Sequence, residues 1–170
     1  TNSNGDVEVL IEVSDAAGVP PTVGEYELRL ARNTAPNGGH VDFWIYDETF
    51  PYPPAMAQGR TETKTVLAPA TADSVIAVAA HTTRASWQSI NGTVYSYGQT
   101  LNQIGNFSSI GPLRDGAQKP DLSAPGTALG AAHSSTSRPN PAANVLPDGV
   151  HKIIQGTSMS SPHVAGAVAL

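Results

Sequence analysis

The stretch VHKIIQGTSMSSPHVAGAVAL, residues 150–170, decides how the rest of the chain is read. Residues 150–154 (VHKII) have the composition of a short strand, and SSPHVAGAVAL begins a helix of small residues. Between them lies Gly156-Thr157-Ser158. A serine in a Gly-x-Ser turn from strand to helix has its hydroxyl projected into the open, beside helix N–H groups that lack intrahelical partners. Those groups carry partial positive charge and suit an oxyanion developing on an attacked carbonyl. The same start also serves as an ordinary helix cap, so both readings stand on local grounds. Ser160 occupies the position where the α/β-hydrolase elbow calls for glycine, which weakens that reading. Pro162 lies at or just past the first turn, where its missing N–H forfeits at most one helical bond. Gly166 costs about 1 kcal/mol against alanine inside a helix, so close packing is expected there.

Working outward, SVIAVAA (74–80) is a continuous apolar run, as expected of a strand buried on both faces of a parallel sheet. Polar and glycine-rich connections containing TVYSYG and NFSSIGP follow it, and SSTSRPNPAANVLPDG (134–149) reads as a surface loop. The first 50 residues have a different character. VEVLIEV, EYELRLAR and HVDFWIYD each alternate apolar and polar residues, separated by DAAGVPPTVG and NTAPNGG, which are dense in turn formers. Three half-buried strands of this kind predict a small antiparallel sandwich or jelly roll, with Trp44 and Tyr46 in its core or seam. FPYPPAMAQG then reads as a linker. The expected division is a β-rich subdomain with its linker over 1–60 and an α/β part over 61–170.

The 170 residues contain no cysteine, which excludes disulfides, thiolate metal sites and cysteine nucleophiles. Nine Lys and Arg against 14 Asp and Glu give a net charge of −5, which disfavours nucleic acid or an anionic membrane as partner. No apolar run approaches the roughly 20 residues of a membrane span. The opening TNSNGD has no basic segment or apolar core of a signal peptide, and AGAVAL stops inside an apolar run. Both ends read as cut from a longer protein.

GTSMSSPHVAG (156–166) closely resembles the nucleophile segment of the subtilisin-like serine proteases, G-T-S-(M/A)-(A/S)-(S/T)-P-H-V-A-G. Upstream, KPDLSAPG (119–126) is similar to the family's K-P-D-(I/V/L)-x-A-P-G, and FSSIGPLRDG (107–116) to its F-S-(S/N)-x-G-P-x-x-D-G. SVIAVAA resembles the family's S-V-I-(A/T)-V-(G/A)-A strand, so the likeness covers roughly residues 70–170 in the order of the C-terminal half of the catalytic domain. The resemblance implies an α/β parallel-sheet domain that hydrolyses peptide bonds. It implies Ser158 as the acylating nucleophile, whose own N–H serves the oxyanion, Thr157 as support for that oxyanion, and Met159 on the leaving-group side. His163 belongs to the motif but is a poor base for Ser158. Five residues along a helix give about 7.5 Å of rise and about 140° of rotation.

The family's chain order is Asp, His, Ser, but neither its D-(S/T)-G nor its H-G-T-H-V-A occurs here. Asp15-Ala16-Ala17-Gly18 is a poor imitation, and His40, His81, His133 and His151 lack the motif and read as surface or loop residues. The oxyanion asparagine of A-x-G-N is missing too, since Asn2 and Asn4 lack its apolar approach. Without a base, Ser158 keeps an ordinary alcohol pKa, so the isolated chain is expected to be inactive. The β-rich block is similar to the jelly-roll inserts of some bacterial subtilases. The expected partners are a polypeptide substrate and the remainder of a parent catalytic domain. No cofactor is evident, calcium enters by resemblance alone, and no run has calcium-loop spacing. The composition fits an exported, extracellular bacterial enzyme. The competing reading is a binding module, formed by the β-rich block, attached to a pseudoprotease remnant.

Overall fold

The computed structural model describes residues 9, 11, 27–29, 41–45, 58–136 and 141–170. The chain divides into two compact units, Thr1–Val41 and Asp42–Leu170. Most of the alternating segments, Tyr46 and nearly all of the expected linker lie outside the described residues. The described residues 27–29 of the first unit, where Arg29 pairs with Glu27 at 2.8 Å, are in no strand. Residues 42–45 of the second unit are in none either, although HVDFWIYD predicts one. Phe43 and Ile45 are exposed there, and Trp44 is held from its rim, its indole N–H donating to the Lys64 carbonyl at 2.8 Å.

The described part of the second unit is α/β: one parallel strand pair carrying a helix, and two antiparallel pairs. Strands β1 (Val78–His81) and β4 (Leu122–Pro125) run parallel, with Val78 opposite Leu122 and Ala80 opposite Ala124. Helix α1 (Thr157–Val168) packs against both. Ala80 and Ala124 are small and buried, which lets the helix approach closely.

Strand β1 starts four residues later than the apolar run that predicts it. Successive turn bonds from Ala70 N–H to Leu67, Ala72 N–H to Pro69 and Val75 N–H to Ala72 carry the chain in tight turns as far as Val75. Val75 and Ile76 are consequently exposed, and burial begins with Ala77, just before β1. Parallel pairing is started by a polar clip. The Asp121 carboxylate accepts the Ala77 N–H at 2.7 Å, and Asp121 N–H donates to the Ala77 carbonyl at 2.9 Å. The Lys119 ammonium donates to Asp121 Oδ2 at 2.7 Å and to the Val75 carbonyl at 2.6 Å. This is why Lys and Asp flank proline in KPD: together they tie the start of β4 to β1.

The connections around TVYSYG contain a hairpin that the sequence reading passed over, β2 (Ser86–Gln88) against β3 (Val94–Ser96). Its signal is an aromatic cluster. Trp87 is buried, tilted against Tyr97 at 4.6 Å between ring centroids and stacked on Tyr95 at 6.4 Å. Its indole N–H is satisfied by the Ala143 carbonyl at 2.7 Å, in a 3₁₀ turn over Ala142–Asn144. Trp87, Ala128 and Ile153 form the core that joins this hairpin to β5 (Leu129–Ala132) and β6 (His151–Ile154), which pair antiparallel. Among the described residues no helix is long and apolar enough to cross a membrane.

Candidate active site

Ile153, 1% exposed, anchors β6 in the core and fixes where the following turn begins. Gly156 then takes φ +149° and ψ +158°, a conformation that only glycine adopts without strain, and α1 starts at Thr157. No side chain caps the helix, so its first N–H groups are not claimed by a capping oxygen. The Met159 N–H turns back to the Gly156 carbonyl at 3.0 Å. Ser158 is exposed, while Thr157 and Met159 are half-buried. The expected trio therefore stands together at one helix N-terminus, with the serine outermost. Pro162 has no N–H to offer the Ser158 carbonyl, so the helical bond forgone there is that of Ser158.

The elbow is tied down from below by Gly126, just after β4. Gly126 N–H donates to the His81 carbonyl at 2.9 Å, and its carbonyl accepts the Gly156 N–H, also at 2.9 Å. A Cβ at position 126 would collide with the Ser160 hydroxyl and come within 2.9 Å of the Ala80 Cα. Ser160 is fully buried on that side, and its hydroxyl has no hydrogen-bond partner. Gly126, within KPDLSAPG, thus supports the turn before Ser158. The signal for it was the small-residue run SAPG, which precedes a close backbone approach.

Thr157 lines a recess of about 220 Å³, together with Val66, Ala68, Pro69, Ala77 and Ser108 among others. No charged side chain lines it, so its walls suit an uncharged group. Two of the described histidines are engaged away from Ser158. His163 is exposed, and its Nδ1 bonds the Met159 carbonyl at 2.8 Å, so the ring is engaged by its own helix. The His151 ring bonds Asp148 Oδ2 at 2.6 Å. That bond and the N–H groups of Val150 and His151 hold the Asp148 carboxyl below its ordinary range. His81 and His151 stand on strands β1 and β6 rather than in loops. A Cβ at Gly166 would meet nothing within 4 Å, so the close packing expected there is not found among the described residues, because that face of α1 is open. No cluster of three or more His, Asp or Glu able to hold a metal ion occurs among the described residues.

A strand, a turn that requires glycine and an exposed serine at a helix N-terminus have the form of the nucleophile turn found in serine hydrolases. The family model of the Subtilase family matches residues 37–170, and the chain belongs to that family. Three similar proteins are subtilisin-like proteases of Arabidopsis thaliana. SBT4.7 is 39% identical over 75 residues, 43% of this chain and 11% of that protein. SBT4.8 is 34% identical over 91 residues, 52% and 13%. SBT4.9 is 38% identical over 93 residues, 49% and 13%. The chain thus spans roughly an eighth of the length of these relatives. All three are plant proteins, so the expected bacterial source finds no support among them. No solved structure matches the chain.

Proposed function

We propose that this chain is the nucleophile-bearing portion of a subtilisin-like serine endopeptidase acting on polypeptides outside the cell. The observation that carries this reading is the exposed Ser158 at an uncapped helix N-terminus behind Gly156. The Ser158 hydroxyl attacks the carbonyl carbon of the scissile peptide and yields its proton to a base. The oxyanion that forms is stabilised by the Ser158 N–H, with Thr157 supporting it and the helix dipole adding positive potential. Collapse, with that proton passed from the base to the peptide nitrogen, expels the amine beside Met159 and leaves an ester on Ser158, which water then hydrolyses.

The base is not proposed to be any histidine of this chain. His151 and His163 are engaged by Asp148 and Met159, and the sequence holds no H-G-T-H or D-(S/T)-G segment. We assign the base, its orienting carboxylate and the oxyanion asparagine to the rest of a parent catalytic domain, and the β-rich block over 1–60 to an insert that braces it. The test is intact-mass detection of fluorophosphonate labelling, on this chain alone and joined to a segment bearing the missing motifs. No labelling alone, and stoichiometric labelling of the joined protein that vanishes in Ser158→Ala, is the expected result. Labelling of the joined protein that survives Ser158→Ala overturns the assignment.

A further inference from the structure

The turn between β2 and β3 carries a chemistry unrelated to Ser158. The sequence holds two Asn-x-Ser/Thr patterns, Asn91-Gly92-Thr93 and Asn106-Phe107-Ser108. This is the acceptor pattern for N-linked glycosylation, which marks surface loops of secreted proteins. We propose that Asn91 is an N-glycan acceptor and that Asn106 is not one in the folded chain. The inference rests on the extracellular reading above.

Asn91 and Thr93 are both exposed at the tip of the hairpin. Gly92 takes φ +81°, and a Cβ there would meet nothing within 4 Å, so the turn is bordered by open space. The Asn91 side chain is already held in place. Its Oδ1 accepts the Ser89 hydroxyl and, at 3.1 Å, the Thr93 N–H, while Nδ2 donates to the Tyr95 hydroxyl at 3.3 Å. Glycosylation leaves that arrangement intact. The carbonyl oxygen keeps both its donors, and the secondary amide keeps one N–H for Tyr95. Ile90 and Val94, 49% and 66% exposed, flank the turn and have no cover of their own among the described residues. An oligosaccharide rooted beside the Tyr95 rim would shield such apolar surface from water.

Asn106 is exposed as well, and the difference lies in the residues around it. Its hydroxyl residue Ser108 is 5% exposed, with Oγ accepting the Ala80 N–H at 3.0 Å against β1. Gln99 clasps Asn106 from both sides, Nε2 donating to Oδ1 at 2.6 Å and Oε1 accepting the Asn106 N–H at 3.0 Å. A transferase reaching this pattern after folding would have to pull Ser108 out of the core.

The reaction joins Asn91 Nδ2 to the anomeric carbon of an oligosaccharide carried on a polyprenyl pyrophosphate. The C–N bond forms as the C–O bond to pyrophosphate breaks, and one amide proton passes to a base of the transferase. The test is to translate the chain behind a secretory leader and a short tag with its own acceptor site, in the presence of eukaryotic microsomes. The leader supplies entry, so the result depends neither on whether the parent is exported nor on Ser158. Scored only on molecules whose tag is glycosylated, the Asn91 peptide should carry a glycan removable by peptide N-glycosidase. Occupancy should be several-fold above that at Asn106, lost in Asn91→Gln and Thr93→Ala, and kept in Thr93→Ser. Tag-glycosylated chains with a bare Asn91, or with Asn106 modified in preference, would overturn the proposal.

Discussion

The Gly156 N–H donates to the Gly126 carbonyl at 2.9 Å, and this bond joins the end of β4 to the turn that presents Ser158. Gly126 in turn donates to His81 at the end of β1, so β1, β4 and the turn at Gly156 are linked through one residue without a side chain. The serine's position is therefore set by backbone contacts on the parallel pair, and the first predictions concern them.

Gly126→Ala places a methyl group against the Ser160 hydroxyl and the Ala80 backbone. Overpacking of this kind costs about 1–3 kcal/mol. Urea denaturation should show that loss. Gly166→Ala in the same helix should instead gain about 1 kcal/mol, because its Cβ enters open space. Equal effects at the two positions would mean that helix propensity, not the contact with β1, governs both.

Gly156→Ala forces an L-residue into φ +149°, and strain of this type costs about 1–3 kcal/mol. In the joined protein it should slow fluorophosphonate labelling of Ser158 by more than its stability loss accounts for, because the turn itself is displaced. Labelling at the parent rate in a destabilised variant would show that the turn tolerates another conformation.

Ser160→Ala removes a fully buried hydroxyl that has no partner. An unsatisfied buried polar group costs about 1–3 kcal/mol, so the variant should be at least as stable as the parent chain by chemical denaturation. Thr82→Val should behave alike, since the Thr82 hydroxyl is also fully buried and unpaired. Clear destabilisation by either would point to an ordered water satisfying that hydroxyl.

The Asp121 carboxyl is held below its ordinary value of 3.8, first by the hydrogen bond from Lys119 and then by the Ala77 N–H. A depressed folded-state pKa means stability that is fully present above 3.8 and lost as pH falls through the lowered value. Melting midpoints measured on descending pH should thus drop more steeply in the parent chain than in Asp121→Asn, with the two curves converging in acid. Parallel curves would remove the clip from the acid sensitivity of the fold.

Much of the α/β part was legible because its signals are local. The apolar run before position 81, the strand before Gln155 and the helix after Gly156 declare themselves through composition and spacing. The start of β1 was not legible, because the turn bonds around Pro69 compete with an apolar run that reads as strand throughout. The hairpin holding Trp87 and Tyr95 was passed over for a similar reason. Its short strands alternate weakly, and the packing of Trp87 against Ile153 and Ala128 stabilises them.

By itself the sequence determined the family and the need for glycine before Ser158, since eleven consecutive residues specify a turn and a helix start. Only the tertiary structure decided what that turn rests on. Gly126 and Gly156 are 30 residues apart along the chain, and nothing local to either reveals that their backbones meet. The contact arises because β1 and β4 pair in parallel and bring His81 and Gly126 to the same end, beneath the helix. A glycine required by its own φ can be read from its turn; one required by a neighbour's approach becomes visible only when that neighbour is in place.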